Sequence, residues 1–404
     1  MITLIMAYRN IYRQKRRTLL TGMTILGGFV LASISIAWSD GAYNTVIDLF
    51  TRNQLGHIQI HGKGYLDKPT LYNTIDDYLA VGKRVEKVKG VQYWTPRIYA
   101  AGLTSVGDKS TGMRLIGLDP KRETAATRFD QKITAGRMFM DGEDNEAILG
   151  TGLAKALEAK VGDDLVVVSQ GADGSIANDL YKIVGLAETE NLINDRTAVY
   201  LTLAEAQDLL VLYGQVHEIA VVVDDLDKVA VYTDEITAAV DNPHLSVAPW
   251  QEFARQFYRA MEADRQGTWV SLSVIILIVA VGVLNTILMT VLERTREYGV
   301  LRAVGTSPGQ VSRLVMYEVA VMSLLSILVG TVIAIACNYY LTIHGLNLGE
   351  FTYGGVKFTN MHAEMNFRSY VIPAITVTAS AILVSIFPAI RAARTAPAKA
   401  MRMH

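Results

Sequence analysis

Four long apolar stretches interrupt an otherwise polar chain, and they are spaced unevenly along it. The first covers residues 19–38, and the other three, at 268–292, 314–343 and 369–390, crowd the last third. A hydrocarbon core about 30 Å thick is crossed by roughly 20 apolar helical residues, and all four stretches reach that length. The pattern predicts four membrane-spanning helices, one before and three after a polar segment at residues 39–267, which we call the insert.

The insert alternates between the two-residue period of strands and the longer period of amphipathic helices, which predicts a mixed α/β domain. Two lobes are predicted within it, one built from both ends and one from the middle, at about 120–215. The predicted strands lie at residues 56–61, 91–106, 112–118, 164–169, 180–187 and 217–223. The predicted helices lie at residues 75–89, 151–159, 203–212 and 226–240.

The second span is predicted to continue a helix that begins inside the insert. Residues 249–292 carry a nearly unbroken helical pattern, and at about 1.5 Å per residue such a helix would be about 66 Å long. A rigid rod of this kind would carry a displacement between the insert and the membrane. Its predicted weak point is Gly267.

Charge asymmetry predicts the orientation in the membrane. The overall net charge is only −1, but residues 40–268 contain 23 Lys and Arg against 34 Asp and Glu. The segments 1–18, 293–313 and 391–404 together contain 13 basic residues and two acidic ones. Because Lys and Arg accumulate on the cytoplasmic side, the pattern predicts a multi-pass inner-membrane protein with both termini cytoplasmic and a periplasmic insert.

Two other features of the membrane pattern bear on this topology. Residues 1–18 mix apolar and basic positions and predict an amphipathic helix on the inner membrane face. The first apolar stretch also fits a secretory signal peptide with a small-residue site at Ser35-Ile36-Ala37, but it is long for the 7–15 residues of such a segment. The loop at 344–368 is predicted to be short and periplasmic.

Ionisable groups are nearly absent from the spans, which argues against a proton or ion carrier. Glu318, at the inner border of the third span, is expected to snorkel or to pair with an arginine. Asn285 and Asn338 are expected to form hydrogen bonds between spans. Cys337, the single cysteine, lies in the third span and is expected to be a small packing residue. The insert therefore contains no cysteine and no disulfide.

Candidate catalytic motifs in the insert fail on their spacing. His57, Gln59 and His61 share one side of a predicted strand, and we interpret this side as a solvated face without a metal. His217-Glu218 begins like a zinc-protease motif, but Val221 occupies the position of the second histidine. We therefore predict no catalytic, cofactor-binding or metal-binding residue in this chain.

The loop between the second and third spans, residues 293–313, is the most patterned polar stretch, and we call it the interspan segment. Glu293 and Glu297 are one helical turn apart, and Gly299 and Gly305 are placed to interrupt a helix. A loop that only carried positive charge would not need glutamates between small apolar residues and glycines. The pattern predicts a short amphipathic helix at the membrane surface that docks another protein.

A family signature is found in the same segment. Its residues are Glu293, Arg294, Glu297, Gly299, Leu301, Arg302, Ala303 and Gly305. This pattern resembles the coupling helix of MacB/LolC/LolE/FtsX-type ABC transporter permeases. The stretch at 388–402 and, more loosely, insert motifs at 136–137, 148–154 and 162–163 are also similar to that family. With the one-plus-three layout, the resemblance covers nearly the whole chain and is nearest to the lipoprotein-releasing LolC/LolE-type permeases.

The resemblance implies a type VII ABC transporter-like membrane fold and an ATPase-coupling role for seven residues. They are Glu293, Arg294, Glu297, Gly299, Leu301, Arg302 and Gly305. The implied partners are two copies of a cytoplasmic ABC ATPase, which would bind ATP and Mg²⁺, so that this chain binds no cofactor and is not itself an enzyme. Further implied partners are a second permease subunit, in a homodimer or LolC/LolE-like heterodimer, membrane lipids, and a periplasmic carrier or outer-membrane component. Nucleic acid is not expected.

The implied function is mechanotransmission: ATP-driven closure of the membrane helices moves the periplasmic domains, which release lipoproteins or export another lipophilic cargo. One alternative is MacB-like efflux of drugs or peptides with a split ATPase, since MacB exporters carry a fused ATPase domain. Another is FtsX-like regulation of cell-wall hydrolases, although the FtsX insert is usually much smaller. A plain receptor or scaffold would have no use for the interspan motif.

Overall fold

A computed structural model of the protein describes residues 15–51, 55–140, 142–189, 191–353 and 356–395. Its described residues form two compact units. The first contains residues 15–45, 261–347 and 360–395, and the second contains residues 46–260 and 348–359. Most of the amphipathic helix predicted at 1–18 and of the basic tail predicted at 391–404 lies outside the described residues.

The helices are α1 (Lys15–Phe50), α2 (Tyr78–Val85), α3 (Pro120–Thr127), α4 (Thr151–Leu157), α5 (Leu192–Thr197), α6 (Leu203–Leu210), α7 (Val229–Val240), α8 (Trp250–Phe253), α9 (Arg255–Glu293), α10 (Thr295–Ala303), α11 (Pro308–His344) and α12 (Arg368–Ala393). The strands are β1 (Ile58–Gly62), β2 (Ile75–Asp76), β3 (Val91–Val106), β4 (Lys109–Leu118), β5 (Ile133–Gly136), β6 (Glu146–Gly150), β7 (Asp164–Gln170), β8 (Ile176–Ala187), β9 (Ala198–Thr202), β10 (Gln215–Val216), β11 (Glu218–Val223), β12 (Leu245–Pro249), β13 (Leu346–Tyr353) and β14 (Val356–Met361).

Helices α1, α9, α11 and α12 are long and apolar enough to cross a membrane, and each contains one of the predicted spans. The predicted arrangement of four spans, one before and three after the insert, is confirmed. The loop predicted at 344–368 contains the strand pair β13–β14.

The first unit is a bundle in which small residues let the helices approach closely. A side chain added at Gly28 of α1 would clash with Val279 of α9, and a Cβ at Gly330 of α11 would lie 2.9 Å from the ring of Phe29. Without a hydrophobic driving force between helices in lipid, such close packing is a main source of association. The glycines therefore allow α1 to pack against both α9 and α11.

Asn338 forms the expected hydrogen bonds between spans. Its Nδ2 atom donates to Ser33 Oγ of α1 at 3.2 Å and to Tyr370 Oη of α12 at 3.3 Å. Three helices thus meet at one fully buried amide. Asn285, in contrast, is exposed on α9.

Helix α9 runs unbroken from Arg255 to Glu293 and passes through Gly267. The interruption lies instead at Ala254, between α8 and α9, where φ is −108° and ψ is 39°. The expected weak point at Gly267 was therefore wrong, because a single glycine in a long helix leaves its backbone hydrogen bonds intact. At about 1.5 Å per residue, the 39 residues of α9 extend about 58 Å.

A ten-stranded sheet forms the second unit, in the order β12-β1-β11-β3-β4-β9-β6-β8-β5, with β7 paired to both β3 and β8. Most neighbours are antiparallel, but β4–β9 and β6–β8 are parallel. Strands from the ends of the insert and from its middle share this sheet, since β3 pairs with both β11 and β7. The two predicted lobes are thus joined by continuous backbone pairing.

The polar residues predicted to share one side of the first strand do not form the solvated face expected from the sequence. His57, Gln59 and His61 are all at least 97% buried. Strand β1 lies between β11 and β12, and the ring of Tyr65 stacks on His61 at 4.9 Å between centroids. Within the described residues, no group of three or more His, Cys, Asp or Glu side chains is placed to hold a metal ion.

A buried charge cluster joins β3, α3 and β11 in the second unit. Arg97 donates from Nη2 to Glu123 Oε1 at 2.7 Å and from Nη1 to Glu218 Oε1 at 3.0 Å. Thr127 and Tyr99 donate further hydrogen bonds to these two carboxylates. Burial opposes ionisation, but attraction to Glu123 raises the pKa of Arg97, and attraction to Arg97 lowers the pKa of Glu123. Arg97 and Glu123 therefore stay charged inside the unit.

Candidate coupling site

The interspan segment folds as the predicted short helix between two spans. Glu293 is the last residue of α9, and the backbone turns at Arg294, where φ is −89° and ψ is 12°, before α10 begins. Glu297, Gly299, Leu301 and Arg302 all belong to α10. The seven predicted coupling residues therefore lie on one compact element.

Defined caps fix both ends of the turn that follows α10. The N–H of Gly305 donates to Arg302 O at 3.2 Å and the N–H of Thr306 donates to Leu301 O at 3.0 Å, which is a Schellman motif. Gly305 has a φ of +101°, a conformation that favours glycine. Ser307 then caps α11 in a capping box with Gln310.

The inward face of α10 is anchored by Tyr298. This side chain is fully buried and belongs to a core cluster with Val311 and Val315 of α11 and Ala389 and Ala392 of α12. Burial, together with the Glu318 carboxylate, raises the pKa of Tyr298, so the phenol stays neutral. Helix α10 is thereby held against two spanning helices.

Arg294 lies inside the site and not on its surface. Its Nη1 atom donates to both carboxylate oxygens of Glu318 at 3.0 Å, and its Nε atom donates to Glu297 Oε2 at 2.8 Å. Burial disfavours the charge, but attraction to Glu318 raises the pKa of Arg294. The arginine partner expected for Glu318 is confirmed. Arg294 therefore connects the beginning of α10 to α11.

The outward face of the same element combines charges with exposed apolar residues. Glu293, Arg296 and Glu297 are exposed, and Val300 and Val304 are 46% and 83% exposed. Arg296, Glu297 and Val300 lie within one turn of α10 and share one side of it, and Glu293 and Val304 flank its two ends. We call them the docking face. Exposed valines flanked by both signs of charge are typical of a surface that contacts another protein.

The sequence analysis assigned Glu293 and Glu297 of this face to coupling but did not assign Arg296, Val300 or Val304. The two valines share the helical spacing of the segment, but the family signature does not include them. Tyr298 was also missed as an anchor. The apolar period through Tyr298 and Leu301 would have identified the buried side of α10.

Two family matches cover most of the chain. Residues 18–239 match the family described as the MacB-like periplasmic core domain. Residues 269–397 match the family described as the FtsX-like permease C-terminal.

Three curated relatives are informative. The lipoprotein-releasing system transmembrane protein LolC of Neisseria meningitidis is 25% identical over 375 residues, covering 87% of this chain and 86% of that protein. The corresponding protein LolE of Haemophilus influenzae is 21% identical over 343 residues, covering 82% of each chain. The macrolide export ATP-binding/permease protein MacB of Pasteurella multocida is 24% identical over 411 residues, covering 98% of this chain and 59% of that protein.

The first family match alone spans more than half of the chain, and the second covers α10 to α12 and the part of α9 from residue 269. Four apolar helices and a periplasmic-type core domain fit an inner-membrane protein with a periplasmic insert. The chain belongs to the family of ABC transporter permeases with a MacB-like periplasmic core domain and an FtsX-like permease C-terminal region.

Proposed function

We propose that this chain is the transmembrane subunit of an ABC transporter whose ATP is hydrolysed by a separate cytoplasmic subunit, present in two copies. Motions driven by ATP would pass through the spans to the insert in the periplasm and release lipoproteins, or another lipophilic cargo, from the inner membrane. Both termini would then be cytoplasmic. A second permease subunit, identical or LolC/LolE-like, would complete the complex.

The docking face is the observation that carries this proposal. Its two exposed valines and three exposed charges lie on α10 or directly beside its ends, and the opposite side of α10 is fixed by Tyr298 and by the Arg294–Glu318 ion pair. A surface held this firmly can transmit a push from a bound ATPase. Glu293, Glu297 and the valines would contact the ATPase, whereas Arg294, Gly299 and Gly305 would position the face.

Helix α9, which leads away from the docking face, supports the transmission of motion to the insert. Helix α9 ends at Glu293 and extends without interruption back to Arg255, only one residue from α8 of the insert. An uninterrupted helix loses less of an axial displacement than a flexible linker does. The turn at Ala254 is then the first point at which an axial movement of α9 would change direction.

The names of the relatives favour lipoprotein release as the cargo function. LolC and LolE, both named as lipoprotein-releasing proteins, match over 86% and 82% of their own lengths. MacB-like efflux with a separate ATPase is the second candidate, supported by the match of 98% of this chain to a macrolide exporter. FtsX-like regulation of wall hydrolases rests only on the C-terminal match.

The proposal is tested by purifying the complex from its host membrane in lipid nanodiscs and identifying what co-elutes. An ATP-hydrolysing chain together with acylated protein is the expected result. Glu293→Lys/Glu297→Lys should abolish co-elution of the ATPase, and Asp264→Lys, a charge reversal at an exposed position of the same helix α9, should leave it intact. Peptide or a small lipophile in place of acylated protein would favour the efflux alternative. Co-elution of the ATPase with the double variant would refute the docking role.

A further inference from the structure

We propose that the first unit has a binding site for an amine-bearing phospholipid, of the phosphatidylethanolamine type, where the N-terminal end of α12 lies beside α1 and α9. Three charged side chains line one recess there: Asp40 of α1, Arg265 of α9 and Arg368 of α12. The site is separate from the docking face and does not depend on an ATPase partner.

Both arginines are available to an anion. Arg265 and Arg368 are exposed, and among the described residues neither guanidinium has a carboxylate partner. The guanidinium of Arg265 lies over the ring of Tyr43, 5.7 Å from its centroid. Two guanidinium groups on one recess match the oxygens of a phosphate, which arginine binds through paired charge-assisted hydrogen bonds.

Asp40 gives the recess a preference for a cationic group next to the anion. Its Oδ2 atom accepts a hydrogen bond from Asn366 Nδ2 at 2.8 Å, so the carboxylate is half-buried and held in place. A carboxylate beside a phosphate site repels a purely anionic headgroup but accepts hydrogen bonds from an ammonium group. A headgroup with a phosphate and a primary amine satisfies all three charged side chains at once.

The surroundings of the recess point to a lipid and not to a free headgroup. Trp269 lines it and is 45% exposed, and tryptophan is enriched where hydrocarbon meets headgroups. Below the charges, Ile36, Leu272 and Ile372 continue the lining into an apolar cluster of the span region. An acyl chain attached to the bound phosphate would have an apolar path along the helices.

The recess is also preorganised by contacts between its walls. Ser39 Oγ and Thr268 Oγ1 are hydrogen-bonded at 2.9 Å, which ties α1 to α9 at this level. Glu364 N donates to Ala37 O at 2.9 Å, which ties the segment before α12 to α1. A bound phospholipid would therefore bridge three helices that are already in register and would stabilise their arrangement.

The experiment uses the full chain, delipidated in detergent, with lipid binding counted by native mass spectrometry. Phosphatidylethanolamine and phosphatidylcholine carry the same phosphate, but only the first has N–H donors for Asp40. We expect one phosphatidylethanolamine per chain to bind at least about tenfold more tightly than phosphatidylcholine, the difference made by one hydrogen bond to a charged group. Phosphatidylglycerol, an anionic lipid without the amine, should also bind more weakly.

Substitutions of the three charged residues test which part of the headgroup each one contacts. Arg265→Gln/Arg368→Gln should weaken phosphatidylethanolamine binding at least about tenfold, and Arg259→Gln, which removes an exposed arginine from the same helix, should not. Asp40→Asn should abolish the preference for the amine. If the double glutamine variant does not fold, Arg265→Lys/Arg368→Lys keeps both charges and should retain a weakened preference.

Three results would overturn the proposal. One is unchanged lipid binding by a folded double glutamine variant, and another is equal binding of the three lipids by the unaltered chain. The third is binding of soluble O-phosphoethanolamine as tightly as the lipid, which would make the ligand a free phosphate compound. Loss of ATPase docking in the Glu293→Lys/Glu297→Lys variant would leave this lipid binding unchanged, so the two proposals fail independently.

Discussion

Arg294 and Glu318 form a buried ion pair that joins the beginning of α10 to α11, with one guanidinium nitrogen 3.0 Å from each carboxylate oxygen. Both side chains are at most 10% exposed. The docking face stands on the other side of this pair, so its position is set by a contact inside the bundle. Because Arg294 Nε also donates to Glu297 of the docking face, the pair links that face to α11, and Glu318 is the partner on the bundle side.

Removing the arginine should weaken both stability and coupling. Arg294→Met leaves the Glu318 carboxylate buried without its partner, and we expect a loss of about 3 kcal/mol in the free energy of unfolding. Arg294→Met/Glu318→Leu removes both charges and should recover most of that loss. Thermal unfolding in detergent measures stability, and stimulation of the ATPase measures coupling. Equal stability of Arg294→Met and the unaltered chain would contradict the role of the pair.

Val304 should matter for docking and not for folding. At 83% exposure, Val304→Asp should change the free energy of unfolding by less than about 0.5 kcal/mol. If the valine is part of the contact, affinity for the ATPase subunit should fall about tenfold or more. Val231→Asp, at a 54% exposed position of α7, is the matched control. Titration of the purified subunits by light scattering or fluorescence gives the affinities, and equal values for both variants would remove Val304 from the contact.

Gly305 should be intolerant of a side chain because of its backbone. Its φ of +101° is strained for any L-residue with a Cβ, so Gly305→Ala should cost about 1–2 kcal/mol and loosen the end of α10. Gly309→Ala, in the first turn of α11 with open space around its Cα, should be neutral or slightly stabilising. Thermal unfolding and hydrogen exchange of α10 compare the two. Equal protection of α10 in both variants would show that the Gly305 turn does not hold the helix.

The second unit should lose stability in mild acid through its buried histidines. Burial lowers the pKa of His61 and His217 below the ordinary value of 6.5. In His217, Nδ1 accepts from Tyr99 N–H and Nε2 lies 3.0 Å from Leu71 O, so a proton on Nδ1 would displace a backbone donor. A histidine with a lowered folded-state pKa contributes stability that is complete above the unfolded pKa and is lost as the pH falls.

The thermal midpoint of this unit should accordingly be flat above about pH 7 and decline from about pH 6.5 downward. His217→Gln should lower the midpoint at neutral pH and reduce its slope with pH, whereas His244→Gln, at an exposed position, should leave the slope unchanged. Unfolding curves between pH 8 and pH 5 give these slopes. A midpoint that rises on acidification would contradict the assignment.

The membrane helices and α10 were predictable because their signals are local. Span length, the caps at Gly305 and Ser307 and the spacing of Glu293 and Glu297 are all contained in short windows of sequence. The helix predicted at 75–89 was only partly right, since Ile75 pairs with Val216 in β2–β10 and α2 is limited to eight residues. Here a long-range strand pair overrode a local helical period.

The features that sequence reasoning missed depend on contacts between distant residues. The side of the first strand that carries Gln59 and His61 was expected in solvent, but both side chains are buried and the ring of Tyr65 stacks on His61. Arg97 meets Glu123 and Glu218 across three elements, and Asp40 meets Asn366 across 326 positions. A single sequence offers no period or spacing that predicts such pairs.

The most direct test of the central claim is a photo-crosslink from the docking face in living cells. A photoreactive amino acid in place of Val304 should capture an ATP-hydrolysing protein, and the same residue in place of Val231 should not. Capture of a separate ABC ATPase from position 304 alone is the result that this account predicts. Efficient crosslinking from position 304 that yields only other proteins or lipid, in cells where the complex is active, would contradict it.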